Sequence, residues 1–183
     1  MMEGNDMNED LKRAMKMLST ALEMEERGRA FYQRAVSTCK NDMGKEIFQT
    51  LMEDEDVHMV RIRSIYETLS GKQVWSENWK ELNVAHHDLG LIFEKMAKKR
   101  GPEIDVDTSD LEALDTGIDF EARSVEFYEK QLTKAINPPE QEFIRKMVTE
   151  ERGHHAALTD MKFYLSDPAG WFREKERGGL DGG

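Results

Sequence analysis

Two stretches of the chain repeat one another at a constant offset of 96 residues. ALEMEERGRAFY (21–32) aligns with GIDFEARSVEFY (117–128), and EIFQTLMEDEDVH (46–58) with EFIRKMVTEERGH (142–154), in a single ungapped register. Glu25 falls on Glu121, Arg27 on Arg123, Phe31 on Phe127, Tyr32 on Tyr128, Glu55 on Glu151 and His58 on His154. One register held across two segments and the turn between them marks a duplicated supersecondary unit rather than chance matching of common acidic residues.

Each unit reads as a helical hairpin. The segments between the four prolines, at 102, 138, 139 and 168, are rich in Glu, Lys, Leu, Met and Ala, which are good helix formers, so the chain is expected to be all-α. The first pair of helices spans about 8–38 and 42–70, the second about 109–135 and 138–166. Ser109-Asp110-Leu111-Glu112 has the form of a capping box opening the third helix, Asn137-Pro138 supplies an N-cap and first-turn proline for the fourth, and Asp167-Pro168 closes it. Short loops make the helices of each pair antiparallel neighbours. A single domain over 1–183 follows: hairpin 8–70, crossover 71–108, hairpin 109–166 and tail 167–183, a four-helix bundle with one long crossover. About 82–99 of the crossover also reads as helical.

The apolar stripe of each long helix is interrupted once. Leu11, Ala14, Leu18, Ala21, Glu25, Gly28, Tyr32 and Ala35 follow one another at helical spacing, as do Phe48, Leu51, Glu55, His58, Ile62, Ile65 and Leu69. The second half gives Leu111, Leu114, Ile118, Glu121, Val125, Tyr128 and Leu132, then Ile144, Met147, Glu151, His154, Leu158, Met161 and Leu165. Four carboxylates therefore point at the core. Burying them unpaired costs on the order of several kcal/mol each, and no Lys or Arg lies on these stripes. Two divalent cations would balance the four charges, with neutral imidazoles of His58 and His154 adding one nitrogen donor per ion. Such a donor set suits iron or manganese, with zinc as a competitor. In Glu-x-x-His the two donors sit one turn apart and converge. Surface acids on a charged bundle are the competing reading; they leave the agreement of repeat and stripe unaccounted for.

Composition narrows the partners. With 26 Lys and Arg against 37 Asp and Glu, the net charge of −11 argues against nucleic acid and against an anionic membrane surface. One cysteine, Cys39, excludes an internal disulfide framework or a four-cysteine iron site. The opening MMEGNDMNED has no apolar run, and no stretch approaches the roughly 18 apolar residues of a membrane span, so a cytoplasmic protein is expected.

At Glu25, Glu55-x-x-His58, Glu121 and Glu151-x-x-His154 the chain resembles the ferritin-like di-metal carboxylate proteins, in which two helices each give a Glu and two give Glu-x-x-His. It is most similar to the rubrerythrin-like ones, over about 10–70 and 109–172, with DPAGWF (167–172) and GGLDG (178–182) resembling their C-terminal end. The resemblance implies a ferritin-like bundle holding two iron ions. Glu55 and Glu151 would bridge them, Glu25 and Glu121 would be terminal ligands, and His58 and His154 would bind one ion each. It also implies a homodimer, an external electron donor such as a rubredoxin-like protein (the cysteines of a rubredoxin module are absent), and peroxide or dioxygen as oxidant. One departure bears on the chemistry. Rubrerythrins carry a further Glu three residues after the third-helix ligand; here that residue is Ser124, and its first-helix equivalent is Gly28. Room for a small reactant and close helix packing both account for these small residues.

Other residues take lesser parts. Tyr32 and Tyr128 lie on the ligand faces, as core tyrosines bonded to nearby glutamates or as a radical relay. His155 points away from His154. Glu53, Asp54, Asp56 and Glu150 fall off the stripe and read as solvated, with one of them available to a ligand histidine. His86-His87-Asp88 reads as a polar surface turn, Trp75 and Trp79 as pins for the crossover, and the methionines as core filling. The expected function is a di-iron carboxylate oxidoreductase. Ferroxidase or iron handling, and a non-catalytic metal-stabilised bundle, are the alternatives.

Overall fold

The helical periodicities become six α-helices, with no strand among the residues that the computed structural model describes, 3–84, 88–104 and 106–180. α1 spans Glu3–Thr38, α2 Asp42–Lys72, α3 Leu89–Arg100, α4 Thr108–Leu132, α5 Pro138–Ser166 and α6 Pro168–Leu180. α1 packs chiefly on α2 and α4 on α5, and the two hairpins meet through α1 against α4 and α2 against α5. The all-α bundle is as expected.

Two apolar clusters, each drawn from all four long helices, lie on either side of a polar layer. One apolar cluster gathers Tyr32, Ile47, Phe48, Leu51, Leu114, Leu158 and Met161; the other gathers Leu18, Ile62, Ile65, Tyr128, Phe143, Ile144 and Met147. Between them the four glutamates of the stripes are packed away from solvent. On α4 the buried line runs Leu114, Gly117, Glu121, Ser124 and Tyr128, so the small residues Gly117 and Ser124, rather than Ile118 and Val125, face the interior.

Helix ends depart from the sequence reading in two places. α4 is capped by Asp107, whose carboxylate accepts the Ser109 N–H at 2.9 Å, and not by Ser109. An aspartate at this position adds a negative charge to the N-cap bond, which the helix dipole favours. Asp110 is thereby released and buried, and it accepts the backbone N–H groups of Lys40 and Asn41 at 3.0 and 2.9 Å, tying α4 to the turn between α1 and α2. The second departure is α6, a helix where the sequence reading has only a tail. Its Trp171 is fully buried, donates its indole N–H to Asp160 at 2.9 Å and packs edge-on to Tyr164 and Phe93.

The crossover is a short 3-10 turn, Asn78–Glu81, followed by α3. Helix begins later than the sequence suggests because Asp88 caps α3, accepting the Leu91 N–H at 2.9 Å. Gly101, at φ 84°, ends it in a backbone conformation that L side chains avoid. Trp79 is buried edge-on against Phe143 of α5, with Trp75 tilted over the same ring. His86 and His87 lie outside the described residues. Among the described residues no helix is long and apolar enough to cross a membrane.

Candidate metal centre

α1 contributes Glu25, α2 Glu55 and His58, α4 Glu121, and α5 Glu151 and His154; His154 is 4% exposed and the other five are fully buried. They form two groups, Glu25–Glu55–His58–Glu151 and Glu55–Glu121–Glu151–His154, each with its donor atoms within 4.8 Å of one another. Glu55 and Glu151 belong to both. The sequence-predicted residues are thus all brought together, with the two Glu-x-x-His helices supplying the shared members.

Each histidine is oriented the same way. His58 Nδ1 faces inward, 3.2 Å from Glu55, 3.2 Å from Glu151 and 3.5 Å from Glu25. His154 Nδ1 lies 3.6 Å from Glu151 and 3.7 Å from Glu121. The Nε2 atoms face outward, to Glu150 at 3.1 Å for His58 and to Asp54 at 3.2 Å for His154. An Nε2–H donated to a carboxylate leaves the Nδ1 lone pair directed at the centre, the tautomer a metal ligand needs. Asp54 and Glu150 are therefore buried partners of the histidines, where the sequence reading has solvated acids with only one of them available to a histidine. Each precedes the shared glutamate of its helix, and they too stand 96 residues apart, so the repeat itself carried the signal. Glu53 is exposed and Asp56 half-buried, as expected.

Tyr32 and Tyr128 close the arrangement across the hairpins. Tyr32 donates its hydroxyl to Glu121, and Tyr128 donates to Glu25. Burial, then the adjacent glutamate, pushes both phenols well above their usual range, so each remains a hydrogen-bond donor.

The acids do not neutralise themselves. Glu25 Oε2, Glu55 Oε1, Glu121 Oε2, both oxygens of Glu151 and Nδ1 of His154 are buried without an aligned hydrogen-bond partner. Burial and then Glu25 raise the Glu55 carboxyl well above its usual range, and burial and then Glu151 raise Glu121 to about 8. For Glu151, the pull of His58 and His154 overcomes burial and holds the carboxyl below its usual range. Burial opposes charge on the imidazoles, yet the surrounding carboxylates raise both above the ordinary histidine value. Protons shared among acids and imidazoles thus stand in for positive charge, and orphaned oxygens converging on two points fit a pair of cations in their place.

A family model described as Rubrerythrin matches residues 16–162. The chain belongs to the rubrerythrin family. No curated protein and no solved structure matches it. The matched span covers all six candidate ligands and both tyrosines, so the family assignment and the geometry bear on the same residues.

At the two positions where this rubrerythrin-family chain has small residues, the surroundings differ. A Cβ built on Gly28 would lie 2.5 Å from the Phe120 ring and 3.4 Å from Glu55 Oε1. Gly28 therefore admits an aromatic ring between helices; close packing is its role. Ser124 is fully buried and its hydroxyl has no partner.

One buried residue escaped sequence reasoning. Arg61 sits next to the α2 stripe, fully buried, donating to Glu150 and to the Leu82 carbonyl of the crossover at 2.8 Å from Nε. It neutralises Glu150 and none of the four central glutamates. Its signal, a lone Arg beside an apolar stripe, looks like any surface cation. His155 is half-buried. Cys39 is buried with its thiol raised by burial to about 11, which keeps it an unreactive thiol. A cavity of about 530 Å³ between α3 and α5 reaches His154 and Glu150.

Proposed function

We propose that the protein is a di-iron carboxylate oxidoreductase that reduces peroxide or dioxygen with electrons from an external donor. The observation that carries this reading is the pair of buried groups sharing Glu55 and Glu151, each with one inward imidazole nitrogen. Glu55 and Glu151 would serve both ions, Glu25 and Glu121 would each help hold one, and His58 and His154 would complete the two sets. Bound iron would supply the electrons and open coordination positions for a small oxidant.

The chain's own residues do the rest. Tyr128 and Tyr32 orient the terminal carboxylates of Glu25 and Glu121, and Glu150 and Asp54 orient the imidazoles. The two apolar clusters exclude bulk water on either side. The cavity of about 530 Å³ beside His154 has room for a small oxidant. Reduction of hydrogen peroxide to two waters consumes two protons and two electrons. The protons would come from water admitted by that cavity, whose lining includes Glu150, Lys146 and Asp160. The electrons come from a separate donor, such as a rubredoxin-like protein, since Cys39 is the one cysteine in the chain. A homodimer and a cytoplasmic setting belong to the same reading.

The test is anaerobic loading with ferrous iron followed by titration with hydrogen peroxide. Two irons per chain, and a ferric absorption that develops with peroxide and bleaches on re-reduction, are expected. A loaded protein that consumes no peroxide overturns the activity and leaves a metal-stabilised bundle. Uptake of many irons per chain would instead identify an iron-handling protein.

A further inference from the structure

The repeat makes the six candidate ligands symmetric, but the charge behind them is not. Behind His58, Glu150 Oε2 is 2.5 Å from Nη1 of the buried Arg61, and Glu150 Oε1 is 3.0 Å from Nζ of Lys146. Arg61 is fixed from its other edge by the Leu82 carbonyl, so its guanidinium cannot swing away. Behind His154, Asp54 has no Lys or Arg within ion-pair distance among the described residues, and its second oxygen, Oδ1, is buried without a partner. The sequence accounts for the difference: the residue 96 positions after Arg61 is Ala157, also buried.

We propose that Arg61 makes the two halves of the metal centre unequal, so that the ion beside His154 binds first and more tightly than the ion beside His58. The inference rests on reading the cluster as a two-ion centre. A carboxylate that accepts the outer N–H of a ligand imidazole pushes electron density towards the metal-binding nitrogen. Asp54 does this unopposed. Glu150 uses one oxygen, Oε2, for both His58 and Arg61, so the guanidinium draws off the charge His58 would otherwise receive. The His154 half also has a buried carboxylate, Asp54, with no Lys or Arg beside it, and burial screens its pull on a nearby cation less than water would. Arg61 is thus a positioning residue that acts through Glu150 and sets the order of filling.

Cobalt(II) titration of the metal-free full-length protein, followed by calorimetry and visible absorption, reads the two steps directly. Two ions per chain are expected, in steps separated by about 10–100-fold in affinity, the span over which such supporting partners act. Arg61→Gln tightens the weaker step towards the stronger one. Asp54→Asn weakens the stronger step towards the weaker one; asparagine keeps the acceptor and the size but not the charge. A merely structural role for Arg61 would weaken both steps. Circular-dichroism melts establish that each variant is folded, and if Arg61→Gln does not fold, Asp54→Asn decides alone. Two equal steps in the parent, or steps that neither variant moves, overturn the inference while leaving the two-ion centre standing. Cobalt bound no better by the parent than by Glu151→Ala removes the two-ion reading, and the inference with it.

Discussion

Tyr32 of α1 donates its hydroxyl to Glu121 of α4, and the repeat returns the bond in reverse, from Tyr128 of α4 to Glu25 of α1. Each hairpin thereby steadies a carboxylate that the other presents to the centre. In Tyr32→Phe the ring keeps its place among Phe31, Phe48 and Phe120 while the donor is lost. Glu121 is then free to rotate, and metal affinity is expected to fall by about tenfold or more. Tyr128→Phe is expected to do the same through Glu25. Metal titration measures the loss; unchanged affinity in both variants would make the tyrosines packing residues only.

The metal-free protein should lose stability as pH rises through neutrality. Glu121 holds its proton up to about 8 in the fold against an ordinary value of 4.5, and Glu55 is raised in the same sense. The folded state therefore binds protons that the unfolded chain has released, so this stability is complete below 4.5 and is lost as pH climbs through 8. His58 and His154, raised above 6.5, add to the loss on the alkaline side. Glu150, lowered to about 2 with burial outweighed by His58 and Arg61, acts oppositely and only in acid. Metal binding expels these protons, so affinity rises with pH and loading releases acid. Melting temperatures of metal-free and loaded protein, compared from about pH 5 to about pH 8, should diverge steadily. A constant gap would show that the cluster does not hold those protons.

Two helical glycines should respond oppositely to alanine. At Gly28 the new methyl would stand 2.5 Å from the Phe120 ring, inside any real contact, and overpacking of this kind costs about 1–3 kcal/mol. At Gly153, exposed within α5, nothing described lies within 4 Å, and replacing a helix-interior glycine gains about 1 kcal/mol or less. Urea unfolding of the two variants gives the sign of each. If Gly28→Ala is stabilising, the ring yields freely and the glycine is not there to admit it.

The repeat and the interrupted stripes make the fold and the six central side chains legible from the sequence alone, because a carboxylate at a core position conflicts with burial unless something resolves it. Asp54 and Glu150 read as solvated acids for a geometric reason. Each sits one residue, about 100°, from the stripe, and whether such a position is buried depends on how closely the next helix approaches. Arg61 was invisible for the same reason, since only the fold brings Glu150 and the Leu82 carbonyl to it. The α4 cap moved from Ser109 to Asp107 because both residue types cap helices, and the demand of the Lys40 and Asn41 N–H groups for Asp110 is a tertiary contact. α6 follows Asp167-Pro168, which reads as the end of the helical region, yet Trp171 holds its first turns against Phe93 and Tyr164.

The sharing of Glu55 and Glu151 between the two groups predicts different stoichiometries for ligand variants that look chemically alike. Glu25 belongs to one group, so Glu25→Ala removes a donor from the His58 half alone and should leave one strongly bound ion beside His154. Glu151 belongs to both, so Glu151→Ala strips a donor from each half and should abolish tight binding altogether. Glu55→Ala should match it. Glu121→Ala should mirror Glu25→Ala, leaving the ion beside His58. The metal-free forms of all four should remain helical, because each change removes a buried acid with at least one oxygen lacking a partner rather than a core apolar contact. Metal content after gel filtration, read alongside the far-ultraviolet circular dichroism, separates these outcomes. Loss of one ion from Glu151→Ala would mean that Glu151 serves a single half, and the halves would then be two separate sites rather than one shared centre.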